Sequence, residues 1–369
     1  MECQHKTQVT YSEFSERIYK KLISKRIPFD GSLELTLRCN LRCVHCYCKP
    51  DVSKQEMSYV QVTRVLDEIA DAGCFWLLLT GGEPLLRDDF TKIYTYAKKK
   101  GMMITLFTNA TLLTPYLADF FNDLPPYAIE ISLYGATEAT YERICRVPGS
   151  FDRCRRGIEL LLGKGLKVRL KTMVMTLNRH EFFAIENFAK SRELEFRLDA
   201  ALNSKMNRDK NPCNLRISPE EVVRLDLSEP KRVESWKSFF KRYGDFKKAD
   251  KLYVCSAGIT AFHIDPYGNL SPCIMARYPA YNILSGTFKE GWNSFIKEVI
   301  SQKASRNNRC VNCKLQAICN QCPGWSYFEH GDLETPVEYL CQVAKERAKA
   351  FDKQEKGSEV LSFTADKAG

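Results

Sequence analysis

No apolar run in the chain is long enough to cross a bilayer: the longest, such as Phe75 to Leu79, fall far short of the roughly twenty residues a membrane helix needs. The polar N-terminus, MECQHKTQ, lacks the hydrophobic stretch of a secretory signal, so a cytoplasmic location and no membrane partner are expected. Runs of like charge are few, Lys98 to Lys100 being one. The formal net charge of +10 is spread widely, which fits a solvated surface, and no nucleic-acid partner is expected. There is no internal repeat beyond a strand–helix alternation. What the chain does have is cysteine, sixteen in 369 residues. In a reducing compartment disulfides are rare and clustered thiols more often hold metal, so the cysteines are read as ligands first.

From about residue 31, short β-rich runs alternate with amphipathic segments, the rhythm of βα units around a parallel sheet. The predicted strands are Leu33 to Arg38, Phe75 to Thr80, Ile104 to Thr108, Ala128 to Leu133, Lys167 to Met175 and Glu195 to Asp199. Helices are expected at Tyr59 to Ala72, where Val62, Val65, Leu66 and Ile69 share a face and Gly73 ends it, and near 88–100, 114–122, 150–164 and 181–192. The fold class is α/β: a partial (β/α)6 TIM-like barrel with its chemistry at the C-terminal strand ends, followed by a small cysteine-rich domain. The expected divisions are an N-terminal extension (1–30), the barrel (31–230), a bridging segment (231–251) within a helical, charged stretch from Ser218 to about Lys251, the second domain (252–345), and a polar tail (346–369).

Cys39, Cys43 and Cys46, with three and then two residues between them, follow the first predicted strand in one loop. Three thiolates leave one iron of a [4Fe–4S] cube open to an outside ligand. A closed zinc loop is the alternative, with His45 or Cys48 as fourth donor. The second strand is followed by Gly81-Gly82-Glu83-Pro84, in which two glycines let a ligand approach the backbone and Glu83 offers a carboxylate to an ammonium group.

Together these motifs resemble the radical SAM superfamily, and the resemblance extends over residues 31 to 345. It implies that Cys39, Cys43 and Cys46 hold a radical-generating [4Fe–4S] cluster whose open iron binds S-adenosylmethionine (SAM), and that Gly81, Gly82 and Glu83 form the SAM-amine site. Ser132 and Arg143 resemble positions that hold the SAM carboxylate, and Asn109 lies where the nucleoside passes. His45 stands where an aromatic commonly precedes the last cysteine.

Further on, Cys255 is followed after twelve residues by Gly268 and after four more by Cys273; then come Cys310, Cys313, Cys319, Cys322 and Cys341. Alone, the two CxxC pairs would suggest a zinc ribbon. Behind such a barrel the string resembles the SPASM extension, an iron–sulfur domain with two auxiliary [4Fe–4S] clusters. The resemblance assigns Cys310, Cys313, Cys319 and Cys341 to one cluster, and Cys255, Cys273 and Cys322 to the other. The chain departs from it in having only Asn320 and Gln321 between the last paired cysteines.

SPASM proteins include peptide maturases, sulfatase maturases and enzymes of haem and quinone-cofactor assembly. Ile274 stands where sulfatase maturases carry an acidic base, which argues against formylglycine formation. A peptide substrate for crosslinking, epimerisation or another maturation is expected, with haem or quinone-type cofactor biosynthesis as the alternative. A reaction of this kind implies a low-potential electron donor, a flavodoxin or ferredoxin. Only 38 residues precede Cys39, so leader recognition is expected to fall to a separate leader-peptide-binding protein or to none. Asp199 is a candidate substrate-side acid–base group, equally readable as a strand-end carboxylate bonded to backbone, and no catalytic base is assigned. A non-catalytic iron–sulfur carrier or zinc-stabilised binding protein is the reading from another class.

Overall fold

The computed structural model describes residues 10–48, 53–243 and 251–355. Strands β1 (Asp30–Glu34), β2 (Trp76–Thr80), β3 (Met103–Thr108), β4 (Ala128–Ser132), β5 (Val168–Met173) and β6 (Glu195–Asp199) pair in chain order, each parallel to the one before. Helix α1 (Tyr11–Lys25) precedes them. The returns are made by α2 (Tyr59–Asp71), α3 (Phe90–Lys99), α4 (Pro115–Asp123), the pair α5 (Glu138–Cys145) and α6 (Ser150–Leu162), and α7 (Phe182–Lys190). In α2 a capping box between Ser58 and Gln61 starts the helix, and the predicted face of Val62, Val65, Leu66 and Ile69 is the buried one. Gly73, just past its end, has φ +104°, in the left-handed region that glycine tolerates.

Five of the six predicted strands lie within about two residues of the observed ones, but the first is displaced: the ladder runs from Asp30 to Glu34, not Leu33 to Arg38. Thr36 to Arg38 lie outside the ladder and do something else. Their carbonyls accept from the backbone amides of Gly82 (Thr36, 2.8 Å) and Glu83 (Arg38, 2.9 Å), while Glu56 takes the Thr36 hydroxyl (2.6 Å) and the Leu37 amide (3.0 Å).

The boundary expected near Leu252 falls inside a continuous sheet. Strand β7 (Ala261–Ile264) lies parallel against β1, and β8 (Asn269–Ser271) and β9 (Tyr281–Asn282) add antiparallel strands beyond it, so the order is β6-β5-β4-β3-β2-β1-β7-β8-β9. Phe262 and Ile264 of β7 are buried in the main core with Phe288 and Trp292. The expected bridging helix is two, α8 (Pro219–Leu227) and α9 (Pro230–Tyr243), broken where Pro230 cannot donate an amide; residues 244–250 of that expectation lie outside the described ones. A short turn, α10 (Phe288–Glu290), continues through a π-helical stretch, Gly291–Ile296, into α11 (Lys297–Ser301), and α12 (Pro323–His330) and α13 (Glu338–Glu355) complete the chain. The polar tail expected from 346 is helical as far as Glu355. Its Arg347, only 4% exposed, donates to Asp226 of α8 at 2.8 Å and to the Ile318 carbonyl, which turns a polar segment into packing surface; residues 356–369 lie outside the described ones.

Along β3 to β5 one set of side chains (Ile104, Leu106, Ile129, Ile131, Val168, Leu170) is buried in the core, and the half-buried alternate set, the inner face, carries Glu130, Ser132, Arg169 and Lys171 on β4 and β5. Arg169 on that inner face meets Glu130 of β4 at 3.6 Å and Glu195 of β6 at 2.6 Å. Among the described residues no helix is long and apolar enough to cross a membrane.

Candidate functional site

Because the barrel strands are parallel, the segments that follow them meet at one rim. The three-cysteine loop follows β1, the GGEP turn follows β2, Asn109 follows β3, Ser132 closes β4 and Asp199 closes β6.

The cysteine loop is fastened to the end of α5. Arg42 donates its backbone amide to the Cys145 carbonyl (2.9 Å) and Val44 to that of Ile144 (3.0 Å). Between them the Cys43 thiol meets the buried thiol of Cys145, a hydrogen bond that, with burial, holds the Cys43 pKa well up. Cys46 is paired in the same way with Cys48, and that bond draws Cys46 down to about 7 against the effect of burial. Cys39 is exposed, accepts from the Leu41 amide (3.4 Å) and the Asn109 side chain (3.8 Å), and is pushed up to about 12 by burial of its sulfur, with Glu83, Cys43 and Cys46 adding to the rise. The three thiols thus feel one another. Among the described residues, however, no three His, Cys, Asp or Glu side chains are gathered as a single metal ion would require. His45 is buried with its Nδ1 unpartnered, its ring edge-on to Tyr134 (4.4 Å, 72°), and burial lowers it to about 4, so it stays neutral. The Tyr134 phenol is in turn hydrogen-bonded to Ser132.

The glycines of the GGEP turn lie against the chain's own backbone. A Cβ on Gly81 would lie 2.3 Å from the Thr36 carbonyl oxygen, and one on Gly82 2.3 Å from that of Arg38. The space their missing side chains leave is filled by the chain's own backbone, which locks the turn to the root of the cysteine loop. Glu83 is fully buried and accepts from the Leu85 amide (3.2 Å), the Thr108 hydroxyl (2.8 Å) and the Asn109 amide (2.7 Å). Burial nevertheless raises it to about 7. Asn109 is buried too, its Nδ2 donating to Asn40 at 2.9 Å and its Oδ1 accepting from Thr111. Arg143 is exposed on the last turn of α5, beside the carbonyls that hold the loop, and is not drawn into this network. The Asp199 carboxylate accepts from the Ala201 amide at 2.9 Å, the backbone-bonded arrangement weighed against a catalytic one.

The seven C-terminal cysteines separate into two groups. Cys255, Cys273 and Cys322 act on one another and together on Tyr253, with Cys322 pushed up to about 12 by burial and then by Cys273. Cys310, Cys313, Cys319 and Cys341 form the other group, in which Cys319 is raised to about 11 by burial and by its three neighbours. These four, together with Cys322 of the first group, line a cavity of about 200 Å³. Of the other cysteines, Cys3 lies outside the described residues, Cys74 and Cys154 are core thiols, and Cys213 is half-buried. Cys145 was missed by spacing because it is a hundred residues from its partner; Cys48 was noted only for its nearness to the loop.

A further pair joins the two halves of the site. Arg277, four residues beyond Cys273, reaches the fully buried Glu34 at the end of β1 with two bonds of 2.7 Å. Burial would raise Glu34, but Arg277 and His263 hold it down at about 2.

A parallel barrel sheet with three thiols at the first strand end and a GGE turn at the second is the arrangement expected of a SAM-dependent iron–sulfur enzyme. Residues 33–189 match the radical SAM superfamily: the chain carries a radical SAM domain and is a radical SAM enzyme. It is similar to an AdoMet-dependent heme synthase of Methanosarcina barkeri, 25% identical with 81% of this chain and 92% of that protein aligned. The mycofactocin maturase MftC of Mycobacterium tuberculosis is 28% identical, with 88% and 86% aligned. In fold it resembles Streptococcus suis SuiB bound to its precursor peptide SuiA, at TM-score 0.66 and 15% identity over 92% of this chain and 83% of that one.

Proposed function

We propose that this enzyme modifies a peptide, using a radical generated at the rim by the loop of Cys39, Cys43 and Cys46. The observation that carries the reading is the junction of that loop with the Gly81–Glu83 turn through Thr36 and Arg38, together with the similarity over most of the chain to a maturase. Three thiols on one loop fit a cluster with one iron left open to an outside ligand. When bound, such a cluster supplies the electron that cleaves SAM to a hydrogen-abstracting 5′-deoxyadenosyl radical.

The protein's own contribution is position and exclusion. Thr108 and Asn109 fix Glu83, so that its carboxylate stays near the rim, where the resemblance places the SAM amine. His45 and Tyr134 wall the loop with rings, keeping water from the inner side. Cys310, Cys313, Cys319 and Cys341 would hold one auxiliary cluster, and Cys255, Cys273 and Cys322 a second, able to receive the electron left after bond formation. A flavodoxin or ferredoxin as donor, and a separate leader-binding protein, belong to the same reading.

The second reading, a step in haem-type cofactor synthesis, is favoured by the alignment with nearly the whole of a heme synthase. Anaerobic reconstitution followed by SAM and dithionite tests the first claim: 5′-deoxyadenosine is expected, and is abolished by Cys43→Ala. Incubation with candidate precursor peptides and with an iron porphyrin then separates the two substrates by mass change. Failure to cleave SAM in the iron-loaded protein overturns the enzyme reading.

A further inference from the structure

Cys255, Cys273 and Cys322 are gathered by backbone packing, and one tyrosine is buried among them. Gly324, two residues past Cys322 at the start of α12, lies so close to the Cys273 loop that a Cβ on it would fall 2.5 Å from the Met275 carbonyl oxygen. The Cys273 sulfur accepts from the Ala276 amide at 3.3 Å, and the Gly324 and Trp325 amides act on the Cys322 sulfur. Tyr253, two residues before Cys255, packs its ring with Ala276 and Val299, and Cys273 lies against them. The charges that act on its phenol are those of Cys255, Cys273 and Cys322. Tyr253 is only 6% exposed, and its hydroxyl, shut off from solvent, has no hydrogen-bond partner among the described residues. A buried hydroxyl without a partner is unfavourable, and a phenylalanine would fill the same apolar place without that penalty. The three thiols fit an iron–sulfur cluster, whose sulfurs accept hydrogen bonds, and an acceptor of that kind is what the orphaned hydroxyl lacks.

We propose that Tyr253 is a positioning residue of this auxiliary site, its hydroxyl donating a hydrogen bond to a sulfur of the cluster held by Cys255, Cys273 and Cys322 and raising that cluster's reduction potential. The phenol acts as a neutral donor and loses no proton. A hydrogen bond to a cluster sulfur favours the more negative, reduced state, so the potential moves up. That direction suits the electron-accepting role given to the site above. The inference rests on the reading that these three cysteines hold a cluster.

The test is an EPR-monitored redox titration of the anaerobically reconstituted full chain, with iron counted per chain. The wave missing from the Cys255→Ala, Cys273→Ala double variant belongs to this site. In Tyr253→Phe that wave is expected at lower potential, by about tenfold in the reduction equilibrium, the worth of one hydrogen bond. The other two waves are expected to stay in place, with about twelve irons still bound. In the iron-free form Tyr253→Phe removes only an unpartnered atom, so it is expected to unfold at the same denaturant concentration as the parent chain or a higher one, which separates donation from packing. Clear destabilisation there means that the hydroxyl already has a partner, and overturns the proposal. An unmoved wave with about twelve irons bound overturns it as well, while leaving the cluster reading intact. Loss of about one iron with a [3Fe–4S] signal overturns it in favour of ligation by the phenolate, and a parent chain holding only about eight irons removes the cluster reading and this inference together.

Discussion

Arg277 grips both carboxylate oxygens of Glu34 across 243 residues of chain, each bond 2.7 Å long. Glu34 is fully buried and ends the first barrel strand; Arg277 leaves the loop of Cys273, one of the cysteines proposed for an auxiliary cluster. Removing one partner leaves the other charge buried, so Arg277→Met and Glu34→Gln are each expected to lower unfolding stability by about 3–5 kcal/mol, with the double variant losing less than the sum. Denaturant titration reads this. Because Glu34 is held at about 2 in the folded state, its contribution is present above the unfolded carboxylate range and is lost as pH falls through that range toward 2.

Glu83 works in the opposite direction. Its folded pKa is raised to about 7, so between the unfolded value and 7 the folded protein binds more protons than the unfolded one, and stability declines as pH rises across that window. The full decline is roughly 3 kcal/mol. Glu83→Gln is expected to flatten it, as measured by unfolding of the SAM-free protein from pH 4.5 to 8.

The barrel was legible because its apolar runs and helix ends are local signals: Val62, Val65, Leu66 and Ile69 declare their face, and Cys39, Cys43 and Cys46 declare one loop. What could not be read depends on partners far away in sequence. The AFHI strand at 261–264 is too short to announce itself, and only the open edge of β1 makes it a barrel neighbour. Arg347 in a polar tail is indistinguishable from a solvated arginine until Asp226 is placed beside it.

His45 is a polar ring doing an apolar task. His45→Phe keeps the edge contact with Tyr134 and removes the unpartnered Nδ1, so stability is expected to hold or to rise by about 1 kcal/mol, with SAM cleavage retained. His45→Ala loses the ring contact and is expected to cost about 1 kcal/mol or more. Thermal unfolding of the two variants, side by side, decides it.

Cys145 accepts from the thiol of a proposed cluster ligand, Cys43, from outside the motif, and once Cys43 is a ligating thiolate the Cys145 S–H becomes the donor. Cys145→Ala is expected to shift the potential of the loop cluster downward, seen in an EPR-monitored redox titration, and to slow 5′-deoxyadenosine formation about tenfold. Cys145→Ser, which keeps a donor, is expected to recover most of both.

The two C-terminal thiol groups predict separable metal losses. Reconstituted protein is expected to hold about twelve irons per chain; Cys310→Ala with Cys341→Ala lowers this to about eight, as does Cys255→Ala with Cys273→Ala, and combining all four leaves about four. Loss of all iron from either double variant would mean the groups are one site.

The pairing of β7 with β1 sets a schedule for synthesis. Ser32 bonds to the Phe262 carbonyl, 230 residues further along, so at translation speeds of about 5–20 residues per second the first barrel strand waits roughly ten to fifty seconds for its second neighbour. Through that interval the nascent chain presents an unpaired parallel edge directly beside the cysteine loop, and it is residues 261–264, made before Cys310 to Cys341, that cover it.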